Sequence, residues 1–265
     1  MKIAIIQKNF TTDDIDKNYE IARDSIYEAY KENPDVIILP ELWNICEFNE
    51  ELKIKVKDER NRAEEFLSII SKKLNVNIIG GSVANLINNK VKNTSLIYNR
   101  NGELIASYDK VHLYTGSDED KYIEAGDKFV TFEIDNVKCA VAICFDISFP
   151  EMIRLLTLEG IEILFISAAW PEAGEENFKT YCKARAIENQ IFVVANNRLG
   201  NTSKNSKEKY CGYSSIINPM GEYIIFPDKN SEIKSSDINL EYKKNLLNEF
   251  DLLKNRKKNL YKKLI

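Results

Sequence analysis

Apolar residues recur along the chain with two periods, and the switches between them predict its elements. Lys2–Gln7 and residues 35–39 are apolar runs of strand length, and Ile15, Tyr19, Ala22, Ile26 and Ala29 fall at helical spacing across residues 13–31 between them. This is a strand-helix-strand unit. A second helical pattern over 58–74 leads into an apolar strand at 76–81. Alternating runs at 94–99 and 104–109 flank Asn101-Gly102, a pair that tolerates the positive φ of a tight hairpin turn.

Strands at 138–143, 161–167 and 191–195 then alternate with helical segments, one opening at Pro150 and one spanning 178–189. Residues 201–209 are polar and read as a mobile surface loop. Runs at 213–218 and 222–226 form another hairpin around Pro219-Met220-Gly221. From 240 to 265 the chain is charged, with Leu246, Phe250 and Leu253 at helical spacing, as an amphipathic helical tail would have. No repeat or proline-rich linker interrupts this order, so residues 1–265 read as one α/β domain with parallel and antiparallel strands.

Composition narrows the function classes. A formal charge of -4 argues against a polyanion binder, so nucleic acid is not an expected partner. No apolar stretch approaches the roughly 18 residues of a membrane span, and the N-terminus turns polar too early for a signal peptide. A soluble cytoplasmic protein is expected. Five cysteines without a Cys-x-x-Cys pair suggest reduced thiols, and a single histidine, His112, leaves neither a zinc cage nor a multi-histidine site to assemble. No metal and no cofactor are expected.

Chemistry in α/β proteins gathers where strands end and loops leave the sheet. Glu41 follows the run Val36-Ile37-Ile38-Leu39-Pro40, Cys144 follows the strand at 138–143, and Lys110 follows the strand at 104–109. Each alone has an ordinary explanation: a helix cap, a small core residue, a surface charge paired with Asp109. Together they match acyl transfer, which needs a nucleophile, a base and a cation or N–H donor where the carbonyl oxygen gains charge. The alternative Ser-His route lacks a Gly-x-Ser-x-Gly elbow.

Leu39-Pro40-Glu41-Leu42-Trp43, Tyr108-Asp109-Lys110-Val111-His112-Leu113 and Ile143-Cys144-Phe145-Asp146-Ile147-Ser148-Phe149-Pro150-Glu151 resemble, in order and separation, the three catalytic segments of the nitrilase superfamily. Ala169-Trp170-Pro171, Arg185-Ala186-Ile187-Glu188-Asn189-Gln190 and Asn218-Pro219-Met220-Gly221-Glu222 extend the likeness over about residues 2–226, with a fainter match at 256–261. The resemblance implies a four-layer αββα sandwich with mixed sheets. It also implies a homodimer, the C-terminal tail reaching across the partner.

On this likeness Cys144 is the nucleophile, Glu41 the base, Lys110 the electrostatic stabiliser and the Phe145 backbone N–H an oxyanion donor. Glu119 is the expected second glutamate, with Glu124 as its competitor. Trp170, Ser148 and Phe48 are expected to line the pocket, and Arg185 and Glu188 to form a structural ion pair.

The implied activity is hydrolysis of a small amide through a thioester, using water and releasing ammonia. Bacterial omega-amidase-like members, which deamidate monoamides of keto-dicarboxylic acids, are the nearest likeness. N-carbamoyl-amine hydrolysis, other aliphatic amide hydrolysis, nitrile hydrolysis and a catalytically silent scaffold are the alternatives. Two departures stand out: Ser148 occupies a position where the family commonly has arginine, and Phe145 replaces the usual tyrosine. An anionic substrate would then need another cation, with Arg198 and Arg154 as candidates.

Overall fold

A computed structural model of the protein describes residues 1–204 and 206–261. Among them the chain runs through β1 (Lys2–Gln7), α1 (Ile15–Tyr30), β2 (Val36–Ile38), α2 (Leu52–Lys55), α3 (Glu59–Leu74), β3 (Asn77–Ile79), β4 (Val83–Ile87), β5 (Lys90–Tyr98) and β6 (Leu104–Asp109). It continues through α4 (Glu119–Tyr122), β7 (Thr131–Ile134), β8 (Val137–Ile143), α5 (Pro150–Leu158), β9 (Ile163–Ala168), α6 (Glu175–Asn189) and β10 (Phe192–Asn197). It closes with β11 (Ser215–Ile217), β12 (Tyr223–Ile225), β13 (Glu232–Asp237), α7 (Glu241–Glu249) and α8 (Lys258–Tyr261).

Two mixed sheets result. One has the order β13-β1-β2-β3-β5-β4, with β6 also paired to β5, and the other has the order β12-β11-β10-β9-β8-β7. Strands β1, β2 and β3 run parallel in the first sheet and β8, β9 and β10 in the second, while their outer neighbours are antiparallel.

The apolar runs of the central strands follow from burial on both faces. In β1, Ile3 and Ile5 join a core shared with Val141, Ile143, Phe165 and Val193 of the other sheet, whereas Ala4 and Ile6 pack against Ala22 and Ile26 of α1 and Leu67 of α3. Phe178, Cys182 and Ala186 of α6 and Met152 and Ile153 of α5 cover the second sheet. The layers are therefore helices, sheet, sheet, helices, the expected αββα sandwich. Each such isoleucine or phenylalanine, fully withdrawn from water, contributes about 1.5–3 kcal/mol.

Differences from the sequence reading have local causes. Helix α1 starts where Asp14 accepts a hydrogen bond from the Lys17 N–H at 2.9 Å, an N-cap that the apolar spacing alone does not locate. Strand β4 and the longer β5 form a hairpin through Asn88-Asn89, and β7 and β8 another through Asp135-Asn136, with positive φ at all four residues. The tail is not one helix: after α7, Phe250 is extended and mostly exposed, and Gln190 clasps the break, donating to the Phe250 carbonyl at 2.8 Å and accepting from the Leu252 N–H at 2.7 Å. Residues 262–265 of the expected tail lie outside the described residues. No described helix is long and apolar enough to cross a membrane.

Candidate active site

The carboxyl ends of the central strands of both sheets meet at one edge of the sandwich. Hydrogen bonds fix their separation: Ser167 Oγ at the end of β9 donates to the Leu39 carbonyl at 3.1 Å, and Asn196 Nδ2 of β10 donates to the Ile38 carbonyl at 2.8 Å. Glu41 leaves the first sheet here and Cys144 leaves the second.

Both turns bend sharply. Leu42 has φ 45° and Cys144 φ 47°, a left-handed region that costs a non-glycine residue about 1–2 kcal/mol. The surroundings hold them there. Ser82 Oγ accepts the Leu42 N–H at 3.0 Å, and the Ser82 N–H donates to the Pro40 carbonyl at 3.1 Å. Gly81, at φ +62°, approaches that same carbonyl so closely that a Cβ would collide with it.

At the other turn, buried Asp146 accepts the Ile143 N–H and the Tyr108 hydroxyl on Oδ2, both at 2.8 Å, and the His112 N–H on Oδ1 at 3.0 Å. His112 Nδ1 lies 2.8 Å from Oδ1, with its ring stacked on Phe149 at 3.8 Å. Arg185 Nε donates to the Ile147 carbonyl at 2.9 Å while Nη1 meets Glu188 at 2.7 Å, the structural pair anticipated for these residues.

Lys110, only 2 % exposed, extends its ammonium between two buried carboxylates. Nζ lies 2.9 Å from Glu41 Oε1 and 2.8 Å from Glu119 Oε2. Burial works against the charge, but Glu119 and Glu41 outweigh it and hold the Lys110 pKa well above the ordinary lysine value. Backbone donors reach the same carboxylates: the Ala169 N–H donates to Glu41 Oε2 at 2.7 Å, and the Tyr114 N–H donates to Glu119 Oε2 at 2.8 Å. Asn93 Nδ2 joins the group, 2.9 Å from Glu41 Oε1 and 3.2 Å from Glu119 Oε1.

The Cys144 thiol adjoins Glu41, Lys110 and the Ala169 N–H. Burial first, and the Glu41 charge second, push its pKa well above that of a free thiol, while Lys110 and the Ala169 N–H pull the other way. The other four cysteines are buried and unpaired.

Glu41, Lys110, Cys144, Glu119, Phe145, Trp170, Ser148 and Phe48 all border one cavity of about 760 Å³, so every residue expected at the site is brought to it. The Trp170 indole N–H donates to the Gly174 carbonyl at 2.8 Å, which fixes the ring. Glu124 instead pairs with Lys90 and Lys92 and is not part of the cavity lining, whereas Glu119 borders the cavity.

Neither candidate cation for an anionic substrate reaches the cavity. Arg198 is fully buried and donates to the carbonyls of Leu42, Phe10 and Thr11, and Arg154 donates to the Glu188 carbonyl. The loop at 201–209 contributes Thr202, Ser203 and Glu208 to the lining and pairs with itself through Asn201 and Lys209. Asn93, Asp146 and Ser82 were missed by sequence reasoning. A buried Asn within a strand carries no periodic signal, although Asp146 lies inside the Cys144 motif. No described group of three His, Cys, Asp or Glu side chains could hold a metal ion.

Comparison with known proteins gives the family of the chain. The family model described as carbon-nitrogen hydrolase matches residues 2–246. A 2-oxoglutaramate amidase of Bacillus subtilis is 36% identical over 88% of this chain and 89% of its own. A Staphylococcus aureus protein named as a hydrolase in the agr operon is 32% identical over 99% of this chain and 100% of its own. Among solved structures, Saccharomyces cerevisiae Nit3, a member of branch 10 of the nitrilase superfamily, superposes with a TM-score of 0.88 at 25% identity, covering 97% of this chain and 96% of that one.

Proposed function

Because the chain belongs to the carbon-nitrogen hydrolase family and is a hydrolase of carbon-nitrogen bonds, we propose that it cleaves a small amide through a thioester on Cys144. The observation that carries this reading is the convergence of Glu41, Lys110 and Cys144 on one cavity.

In the proposed reaction Sγ of Cys144 attacks the amide carbon as its proton passes to Glu41. The oxyanion that forms is held by the Lys110 ammonium and the Phe145 N–H. Phe145 lies in the first turn of the short 3-10 helix at Cys144–Ser148, where backbone N–H groups lack partners within the helix. Glu41 returns the proton to nitrogen, the carbon-nitrogen bond breaks, and ammonia leaves. Water then gives a proton to Glu41 and its oxygen to the acyl carbon, which releases the carboxylic acid and regenerates the thiol. Glu119 acts on Lys110, fixing the ammonium and supplying a second counter-charge.

Kinship with a 2-oxoglutaramate amidase brings omega-amide hydrolysis into the reading. Neutral amides and N-carbamoyl amines enter it because the lining offers no described cation besides Lys110. Ammonia release from a panel of keto-acid monoamides, N-carbamoyl amines, simple amides and nitriles tests the reading. Turnover is expected from the wild type and none above background from Cys144→Ala. Equal turnover by a folded Cys144→Ala variant removes the covalent route, and an acyl group found by mass on the Cys144 peptide supports it.

A homodimer in the cytoplasm completes the proposal. Leu155, Leu158 and Ile187 on α5 and α6, with Phe226 and Phe250, are large apolar side chains left exposed in the single chain, which supports an interface there.

A further inference from the structure

Resting on the amidase reading, we propose that the substrate carries an ammonium group on a short alkyl tail at the end remote from its amide, and that the cavity selects against a carboxylate there.

The charge of the lining is the first observation. The described ionic side chains bordering the cavity are four glutamates, Glu41, Glu47, Glu119 and Glu208, and one lysine, Lys110. Lys110 pairs with Glu41 and Glu119 at 2.9 and 2.8 Å, which keeps its ammonium beside the reacting carbonyl and leaves the described lining with a net negative charge. Glu47 is half-buried and Glu208 exposed, which sets them toward the mouth. A carboxylate entering this space meets like charge in a partly desolvated setting, where repulsion is stronger than in bulk water, and an ammonium meets the opposite.

The second observation is the uncharged side chain of Ser148 in the lining. Ser148 borders the cavity, and its Oγ is buried without a hydrogen-bond partner in the protein. A hydroxyl in that position can accept a hydrogen bond from an ammonium as readily as it can donate one, but it brings no charge to offset an anion. The nearby cations are occupied or turned away. Arg198 serves three backbone carbonyls, Arg154 caps the Glu188 carbonyl, and Lys204 pairs with Asp13 at 3.0 Å. Lys207 and Lys209 are exposed and outside the lining.

The third observation is aromatic. Phe48, Tyr114, Phe145, Trp170, Tyr181 and Tyr210 border the same cavity. Such faces pack against methylenes and attract a cation through the ring quadrupole, while they offer nothing to a carboxylate. Acidic rim, uncharged hydroxyl and aromatic walls therefore favour the same tail. The expected substrates are primary amides of short ω-amino acids, which water converts to the ω-amino acid and ammonia.

The test compares three amides of similar length: 5-aminopentanamide, hexanamide and glutaramate, with 2-oxoglutaramate added. The readout is kcat/KM for ammonia release by the full chain at neutral pH. The ammonium amide is expected to exceed either carboxylate amide by at least about 10-fold, with hexanamide between, and the gap to shrink as salt is raised. Glu47→Gln combined with Glu208→Gln is expected to narrow the ratio several-fold, and Ser148→Arg to shift it toward the carboxylates. A wild-type enzyme that prefers either carboxylate amide, or does not discriminate, overturns the proposal.

Binding of the same four compounds to Cys144→Ala by calorimetry separates the two readings. If none is hydrolysed by the wild type but the ammonium amide binds at least about 10-fold tighter, the amidase reading falls and the tail assignment stands. Binding of the ammonium amide that is absent, or no tighter than that of glutaramate, overturns the tail assignment whatever the turnover.

Discussion

Asn93 places its amide nitrogen 2.9 Å from Glu41 Oε1, joining a strand-interior residue of β5 to a carboxylate that leaves β2, 52 positions earlier. The same nitrogen reaches Glu119 at 3.2 Å, so one side chain holds the two carboxylates on either side of the Lys110 ammonium. Asn93 is a positioning residue in the proposed mechanism.

Asn93→Ala is therefore expected to lower kcat by about 10-fold, with a smaller change in KM, because misplacing the base affects the chemical step more than ground-state binding. Asn93→Asp is expected to do worse, since it adds a third buried carboxylate beside one ammonium. Steady-state kinetics on any turned-over amide checks both. A change confined to KM would argue that Asn93 touches substrate instead.

For Glu41 the proposed base role and the electrostatic effect on the thiol give opposite signs. Glu41→Gln removes a negative charge that raises the Cys144 pKa and leaves the Lys110 charge that lowers it, so thiolate should form at lower pH in the variant. Turnover should nevertheless fall by about 10²–10⁴, the usual contribution of a general acid-base group. The pH dependence of Cys144 alkylation, followed by peptide mass, and ammonia release measured in parallel test the two halves. A rise in the alkylation midpoint would contradict the electrostatic account.

Lys110→Ala leaves Glu41 and Glu119 facing each other in a buried site. The expected loss is about 10²–10³ in kcat if the ammonium acts as an oxyanion donor. A further loss of about 3–5 kcal/mol of stability at neutral pH is expected, because removing one partner strands buried charge. Urea unfolding at neutral pH checks it: a Lys110→Ala variant as stable as the wild type would show that the buried carboxylates do not depend on the ammonium, and Lys110→Ala combined with Glu119→Gln should recover part of the deficit.

Tyr108→Phe deletes a hydroxyl that donates to the buried Asp146 at 2.8 Å. Hydrogen bonds to charged groups contribute about 1.5–3 kcal/mol, so a drop of a few degrees in Tm is expected. Asp146 keeps its bonds from the Ile143 and His112 N–H groups, so the Cys144 turn should persist and activity at low temperature should survive.

At the opposite edge of the sandwich, Arg100 links Asp35 of the first sheet's side to Asp135 in the β7–β8 turn. Burial acts to raise the Asp35 pKa, but the Lys2 N–H and the Arg100 guanidinium outweigh it and hold it below the ordinary value. A carboxyl depressed in the folded state stabilises above its unfolded pKa, near 3.9, and that contribution fades as pH falls through the lower folded value. Arg100→Ala should cost about 1 kcal/mol at neutral pH, since these groups are partly exposed. The difference from wild type should diminish below about pH 4, which acid titration of unfolding would reveal.

Periodicity located the elements because burial on a sheet or helix face repeats at two or 3.6 residues, and the chain writes that repeat locally. Ile3 and Ile5 against Ala4 and Ile6 are legible for that reason, as are the strand ends that carry Glu41, Lys110 and Cys144. Strand β13 was not legible: residues 232–237 are half-exposed and polar, and they form a strand because β1 offers an unpaired edge. The tail misled for a related reason, since Leu246 and Phe250 keep helical spacing while Gln190, from another helix, captures the backbone where the helix stops.

The central strands and the long helices, the three motif residues at strand tips and the resemblance those motifs carry were all readable along the chain. Folding in three dimensions was needed to show that Asn93 serves both carboxylates, that Asp146 braces the turn at Cys144, that Glu119 and not Glu124 faces Lys110, and that Arg198 is spent on carbonyls. The division has a physical cause. Hydrophobic burial leaves a local periodic record, whereas the partner of a buried polar group, and the net charge of a cavity walled by distant loops, arise from contacts between segments whose separation along the chain says nothing of their distance in space.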